Sequence, residues 1–157
     1  MNKATQLLLI SVVISLFIIL VSRDDWSKFH AVKVAEAKIL SITAGDTMKA
    51  LVSGKQEDIK LAYINCPSTD VTAGMDALNT LQDSIKNRQI RLNIVDIDEN
   101  DRKISEVYAN DKNINLYLIR TGKCFLNLEN DMKKSNYLNA EQEAKRKKLG
   151  IHKEQTS

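Results

Sequence analysis

Histidine and cysteine are scarce in this sequence, which has two of each among 157 residues. Cys66 and Cys124 lie far apart, neither belongs to a CxxC pair, and only His30 and His152 could join them. Zinc sites are built from closely spaced groups of such residues, so we expect none here. The two cysteines could form one disulfide in an extracytoplasmic domain, or they could be two independent buried thiols.

An excess of charge of one sign is also lacking, because 23 lysines and arginines oppose 20 aspartates and glutamates, for a net charge of +3. So small an excess does not by itself indicate a protein that binds nucleic acid. The basic cluster from Lys145 to Lys148 is interpreted as a solvated helix face, with a phosphate-binding patch as the alternative. The sequence shows no internal repeat and no low-complexity segment.

The N-terminal part contains a run without charged residues, from Leu7 to Ser22. With the three residues before it, the run reaches about the 20 residues that a membrane-spanning helix needs. We predict a membrane anchor or signal-anchor over residues 1–22, because the residues around Ser22 form a poor cleavage site. A cleavable signal peptide is the rival interpretation. The orientation stays open, since positive charges flank the run on both sides.

The rest of the chain has the length of one globular domain. We divide it into a juxtamembrane linker (23–33), a folded domain (34–153) and a short tail (154–157).

Within the domain, alternating apolar residues predict strands, and apolar residues spaced three or four apart predict helices. The predicted strands are 31–42, 47–52, 58–65, 89–97 and 104–109, and the predicted helices are 72–86, 113–119 and 137–149. Pro67 ends the third strand, because proline cannot donate to a ladder. Three strands, a helix and two more strands is the order of an OB fold, so we expect an α+β fold with a five-stranded OB-fold barrel and helices.

Four segments of the domain resemble the motifs of one protein family, in the same order along the chain. They are AGDT (44–47), IKLAYINCPS (59–68), DENDRKISEVYANDKNINLYLIRTGKC (98–124) and AEQEAKRKKLGIH (140–152). The matching patterns, DGDT, xRLxxIDxPE, DxYGRxLAxVYxDGxxxNxxLVxxGxA and AExxAKxxxxGIW, are those of the staphylococcal nuclease (thermonuclease-like) family. The sequence is therefore similar to OB-fold phosphodiesterases that use calcium, over residues 34–153.

The resemblance implies a calcium site. The two metal-binding aspartates of the family correspond to Asp46, which is retained, and to Asn65, which is neutral. The next position, Cys66, would offer its backbone carbonyl. Because calcium favours several oxygen ligands with negative charge, the loss of one carboxylate predicts a weak or absent calcium site.

The resemblance also implies a phosphate site with a water-activating group. The two arginines that clamp the phosphate correspond to Lys60 and Arg102, and the glutamate near the attacking water corresponds to Ser68. Lysine keeps the charge of arginine but loses its forked geometry, and a serine hydroxyl is no base near neutral pH. Asp70, two residues further on, is the candidate for a substitute carboxylate.

These departures predict a membrane-tethered, nuclease-like domain that has lost most or all of its calcium-dependent nuclease activity. Such a pseudoenzyme would be a binding module, for single-stranded nucleic acid or for a protein partner in the barrel groove. The alternative is an active but weak or altered phosphodiesterase, an endonuclease that cleaves DNA or RNA. Because nuclease relatives are commonly secreted or extracytoplasmic, the resemblance implies a single-pass protein whose domain lies on the extracytoplasmic side of the membrane.

Overall fold

The computed structural model describes residues 33–128 and 134–153. The predicted anchor (1–22), the linker up to residue 32 and the tail (154–157) lie outside these residues. Within the described part, no helix is both long enough and apolar enough to cross a membrane.

Strands dominate the first half of this part and helices the second. In chain order the elements are β1 (Lys33–Ala44), β2 (Thr47–Val52), β3 (Lys55–Leu61), β4 (Ile64–Asn65), α1 (Thr72–Ile85), β5 (Ile90–Ile97), β6 (Lys103–Ala109), β7 (Lys112–Asn113), α2 (Ile114–Arg120), β8 (Phe125–Leu126), α3 (Ser135–Arg146) and a short 3-10 helix (Gly150–His152). The five long strands correspond to the five that the sequence predicts, with small differences at their ends.

The five long strands close into a barrel. Antiparallel pairing joins β3, β2, β1, β5 and β6 in that order, and parallel pairing of β3 with β6 closes the sheet. The closing register places Ile59 opposite Lys103 and Leu61 opposite Ser105. Closure removes the free edges of the sheet, and the strand order, with α1 between β3 and β5 in the chain, is that of an OB fold. The predicted five-stranded barrel with helices is confirmed.

Alternate residues of the strands fill the barrel, as the period of a strand requires. Met48 and Ala50 of β2, Ile59 of β3, Leu92 of β5 and Val107 of β6 are fully buried. Burial of these apolar side chains is the main favourable contribution to the stability of the barrel.

Helix α1 buries a face that differs in part from the predicted one, which contained Met75, Leu78, Leu81 and Ile85. Leu81 and Ile85 are buried, but Met75 is 44% exposed, and Ala77 is the buried residue of that turn. Ala77 lies directly against the turn between β1 and β2. A small residue suits this position because the helix and the turn approach each other closely.

The third predicted strand, 58–65, is wrong in one respect, since it breaks into β3 and β4. The chain turns at Ala62–Tyr63, where Tyr63 has a left-handed conformation (φ 65°). The side-chain amide of Asn115 donates to the carbonyl of Ala62 (2.9 Å) and so satisfies a buried backbone group at the break. Beyond the turn, β4 pairs with β8. Strands of two residues contain too little pattern to be predicted.

The last two helices lie close to their predicted positions. Asn113 caps α2, since its side-chain oxygen accepts from the N–H of Leu116 (2.9 Å), and Gly122 (φ 67°) follows the end of the helix. Helix α3 begins and ends slightly earlier than predicted. Lys145 and Lys147 pair with glutamates one turn earlier (2.8 and 2.6 Å), which supports a solvated helix face.

Candidate functional site

The turn between β1 and β2 contains Asp46, the retained aspartate of the predicted site. This residue is almost completely buried, with 4% of its surface exposed. Its Oδ2 forms an ion pair with the Lys60 ammonium (2.6 Å) and accepts a hydrogen bond from the backbone N–H of Cys66 (2.8 Å). Its Oδ1 accepts from the hydroxyl of Thr47 (3.0 Å). The carboxylate is therefore neutralised and hydrogen-bonded by the protein itself.

The barrel holds Lys60 beside this carboxylate. Lys60 lies opposite Thr47 in the pairing of β2 with β3, and the N–H of Leu61 donates to the carbonyl of Asp46 (2.8 Å). Backbone hydrogen bonds thus fix the spacing between the two charged residues. The Lys60 side chain is 22% exposed, so its charge lies against the barrel and not free in solvent.

A disulfide between Cys66 and Cys124 holds the loop that follows β4. The structure therefore decides between the two interpretations of the cysteines in favour of a pair. The loop also packs closely on α1, because a Cβ at Gly74 would collide with the carbonyl oxygen of Ser68. The N–H of Cys66 reaches Asp46 from a loop that is held by a covalent bond and by packing.

Lys60 also lines a pocket of about 590 Å³. Lys60 and Arg102 both line it, together with Tyr63, Asp96 and Asp98. The two cationic residues that the resemblance assigns to the phosphate therefore share one pocket. Two acidic residues balance them, so the pocket is close to neutral and differs from a strongly basic nucleic-acid channel.

Asp98 fixes the position of Arg102 in the turn between β5 and β6. Its Oδ2 accepts from Nε of Arg102 (2.7 Å), and its Oδ1 accepts from the N–H groups of Arg102 (2.9 Å) and Asn100 (3.0 Å). Burial alone would raise the pKa of Asp98, but these hydrogen bonds and the Arg102 charge outweigh it and hold the pKa below its usual value. Since Nε is engaged, a phosphate would be bound by the terminal nitrogens of the guanidinium.

Three predicted site residues lie on the surface. Asn65, Ser68 and Asp70 are exposed. Within the part of the chain that the structure describes, the groups that contact the Asp46 carboxylate belong to Thr47, Lys60 and Cys66. The structure gives Asp70 no contact that would make it a substitute carboxylate.

Four other predicted residues are brought together. Asp46, Lys60 and Cys66 are in direct contact, and Arg102 lines the same pocket as Lys60. Cys66 meets Asp46 through its N–H, whereas the resemblance implies a role for its carbonyl.

Two further contact residues, Thr47 and Asp98, are absent from the predicted site. A threonine that follows an aspartate is common in turns, so Thr47 does not by itself indicate a functional site. Asp98 stands four residues before Arg102 in a charged turn, a spacing that could have identified it as the partner of the arginine.

A larger open groove of about 900 Å³ lies between β1 and the end of α1. Lys38, Leu40 and Arg88 are among its lining residues, and none of the predicted site residues lines it. Because size alone does not define a functional site, we place the candidate site at the smaller pocket, where Lys60 and Arg102 lie.

Comparison with known proteins identifies the family of the chain. The model of the family described as staphylococcal nuclease homologue (SNase) matches residues 58–154, more than half of the chain. The chain belongs to this family. The matched residues include Lys60 and Arg102 but begin after Asp46. A protein of Haemophilus influenzae named an uncharacterized endonuclease is 28% identical over 115 residues, which is 73% of this chain and 64% of that protein. The chain thus spans somewhat less than two thirds of the length of this relative.

The atoms around Asp46 do not fit the calcium ion that the family resemblance implies. Calcium takes roughly six to eight oxygen ligands, several of them from carboxylates. Here one carboxylate is present, its Oδ2 already meets an ammonium and an N–H, and the exposed, neutral Asn65 replaces the second acid. Among the described residues, no group of three or more His, Cys, Asp or Glu side chains is arranged to hold a metal ion. No chemical step at this site is therefore assigned to calcium.

Proposed function

We propose that this SNase-like domain is a membrane-tethered binding module whose calcium-dependent nuclease activity is lost or strongly reduced. Its ligand is single-stranded nucleic acid, bound through a phosphodiester in the pocket between Lys60 and Arg102. The single observation that most supports the loss of nuclease activity is the ion pair between Lys60 and Asp46 (2.6 Å), because the resemblance assigns Lys60 to the phosphate and Asp46 to the metal, and here the two contact each other.

The loss of hydrolysis follows from the chemistry that the pocket lacks. A positioned general base contributes roughly 10²–10⁴-fold to the rate, and the exposed hydroxyl of Ser68 cannot act as one. One electrostatic donor in the transition state contributes on the order of 10²–10³-fold, and Lys60 cannot offer the forked geometry of arginine. These effects are not additive, but together they leave little hydrolysis.

Binding of a phosphodiester needs less than its hydrolysis. Lys60 and Arg102 line the same pocket and can each donate to a phosphate oxygen. Because Asp96 and Asp98 oppose them, we expect modest affinity from about two phosphate contacts. The logarithm of the binding constant should then fall with the logarithm of salt concentration with a slope of about −1.4, since each single-strand contact contributes about −0.7.

The test measures binding of fluorescent single-stranded DNA by the full chain in detergent at several salt concentrations. Arg102→Ala should weaken binding and reduce the salt slope by about half, because one of two phosphate contacts is lost. Arg120→Ala is the matched control, since this exposed arginine lies on α2 outside the pocket and its removal changes the net charge equally. Absent or salt-independent binding would contradict nucleic acid as the ligand and favour a protein partner.

An active but weak or altered phosphodiesterase is the second candidate. Asp46 and Arg102 are retained, and the relative from Haemophilus influenzae has the name of an endonuclease. Cleavage of DNA and RNA by the full chain, with calcium and with a chelator, distinguishes the two candidates. Cleavage that Arg102→Ala abolishes and Arg120→Ala retains would establish the enzyme, and loss of that cleavage in Asp70→Asn would identify the substitute base.

The proposed location is the extracytoplasmic face of a membrane, with residues 1–22 as a single anchor. The uncharged run from Leu7 to Ser22 supports the anchor, and the disulfide supports an oxidising compartment. Membrane fractionation tests the anchor, and protease treatment of intact cells, carried out separately, tests the side of the membrane on which the domain lies. We expect the chain in the membrane fraction, with its domain digested from outside the cytoplasm.

A further inference from the structure

The chain has a positive charge of its own at the point where a cation would meet Asp46. We infer that the Lys60 ammonium replaces a bound divalent cation as the counter-charge of Asp46, so that the site accepts a phosphodiester anion without calcium. The part that concerns the phosphodiester rests on the proposed function. The part that concerns the cation depends on the protein alone and is tested without nucleic acid.

The first argument is the occupancy of the carboxylate oxygens. Oδ2 of Asp46 forms an ion pair with Nζ of Lys60 (2.6 Å) and accepts a hydrogen bond from the N–H of Cys66 (2.8 Å). Oδ1 accepts from the Thr47 hydroxyl (3.0 Å). A cation bound to Oδ2 would have to displace the ammonium or lie next to it, where the two positive charges repel each other.

The second argument is the burial of the ion pair between Lys60 and Asp46, which is seen by comparison with a neighbouring ion pair. Lys49 of β2 and Asp58 of β3 form an ion pair of nearly the same length (2.7 Å), but their side chains are 41% and 49% exposed. The corresponding values for Lys60 and Asp46 are 22% and 5%. An exposed carboxylate can rely on water, whereas a buried one needs a counter-charge or several hydrogen bonds from the protein. Lys60 meets that need without a metal.

The third argument is the balance of charge between Lys60 and residue 65. One ammonium neutralises one carboxylate, and the residue at 65 is a neutral asparagine. The resemblance implies an aspartate at this position, so that two carboxylates would face a divalent cation, whereas here one carboxylate faces one ammonium. Lysine is suited to this role, because its compact ammonium can bind a single oxygen, whereas the charge of arginine is spread over a planar fork. The lysine and the asparagine are therefore consistent with each other as parts of a site without metal.

The experiment is thermal unfolding of the full chain in detergent, with calcium chloride and with a chelator at equal ionic strength. The wild-type Tm should be the same in both. Lys60→Met removes the ammonium and keeps the length of the side chain, so its Tm should fall by several degrees in chelator and recover in part in calcium. Lys49→Met, the matched control, should show no calcium response.

Two further variants extend the test, and Asn65→Asp, which retains Lys60, keeps the inference testable if Lys60→Met does not fold. Asn65→Asp alone should give no calcium response, because the ammonium still occupies Oδ2. The double variant Lys60→Met/Asn65→Asp should give the largest one. A wild-type Tm that rises in calcium would overturn the inference, and so would a calcium response in Asn65→Asp equal to that of the double variant. Neither result depends on DNA binding, so failure of this inference and failure of the proposed function can be distinguished.

Discussion

Two carboxylates are buried in the described part of the chain, and they are stabilised in different ways. Asp46 (4% exposed) has a direct ion pair with Lys60 at 2.6 Å. Glu106 (9% exposed) has neutral donors as its nearest partners, the hydroxyl of Tyr137 (2.9 Å) and the amide of Asn113 (3.3 Å), while Lys134 lies further away at 3.8 Å. One acid is compensated by charge and the other mainly by hydrogen bonds.

The difference separates the region of the candidate site from the region where the helices are attached to the barrel. Glu106 on β6 ties together the cap of α2 and the first turn of α3, so its hydrogen bonds fix the helices on the barrel. Burial, and after it the charge of Glu106, raises the pKa of Tyr137, which therefore stays protonated and keeps donating. Asp46 instead pairs with a lysine that lines the pocket of the candidate site.

The largest effect should come from the disulfide, which holds the loop whose Cys66 N–H contacts Asp46. Cys66 and Cys124 are 58 residues apart, so their link should stabilise the fold by up to about 4 kcal/mol through the entropy of the unfolded chain. Replacing both cysteines with serine should lower the free energy of unfolding in urea by that order. It should also weaken the hydrogen bond from the N–H of Cys66 to Asp46.

Reduction of the wild-type protein provides the control for this prediction. Unfolding in the presence of a thiol reductant should match that of the double serine variant, and the reductant should have no effect on the variant itself. Equal stability of the wild type with and without reductant would show that the cysteines are not paired in the folded protein.

The second effect concerns the Glu106 region. Tyr137→Phe removes the shorter of the two hydrogen bonds to the buried carboxylate of Glu106, so the free energy of unfolding should fall by about 1–3 kcal/mol. Tyr108→Phe is the matched control, because Tyr108 contacts only the amide of Asn113 in this network and should cost less. Urea denaturation of both variants measures the difference.

A double variant sharpens the same comparison. If Glu106 is held mainly by hydrogen bonds, Glu106→Gln should remove most of the cost of Tyr137→Phe, because no buried charge is then left without its donor. Equal costs for the two tyrosine variants, or no rescue by glutamine, would show that the hydroxyl of Tyr137 does not stabilise Glu106.

The sequence predicted the barrel well because its strands alternate clearly and its turns contain recognisable residues. Asn113 and Gly122 marked the ends of α2 correctly, since capping depends on local chemistry. The break at Ala62–Tyr63 was missed because the apolar pattern runs through it. The chain bends there at a non-glycine residue, and the amide of Asn115, far away in sequence, satisfies a backbone carbonyl at the break.

The candidate site was predicted in part. The resemblance identified Asp46, Lys60 and Arg102, but it assigned Lys60 to the phosphate, and the contact between Lys60 and Asp46 was not foreseen. That contact depends on the register of β2 against β3 and on the burial of the turn before β2, and neither can be read from residue types. The pairing of Cys66 with Cys124 likewise required the structure, because sequence separation alone does not decide it.

The smallest effect concerns Asp98, a carboxylate that is less buried than Asp46 and Glu106. Its partner Arg102 lines the pocket. Its pKa is held below the usual value of 3.8, so the folded state releases this proton more readily than the unfolded state does. The resulting stability is present above about pH 3.8 and is lost as the pH falls through the lower pKa of the folded protein. Asp98→Asn should therefore be slightly less stable than the wild type at neutral pH, and the gap should narrow in acid.

Carboxyl NMR titration of the folded protein checks this directly. The Asp98 signal should titrate below pH 3.8 in the wild type and move toward that value in Arg102→Met, which removes the guanidinium but keeps the backbone N–H donors. A wild-type midpoint at or above 3.8 would mean that the turn does not hold Asp98 against Arg102 in solution. Arg102 would then be free to turn fully toward the pocket. The two cations proposed to bind the phosphate would differ sharply, because Lys60 is paired with a buried acid and Arg102 would be available to a ligand.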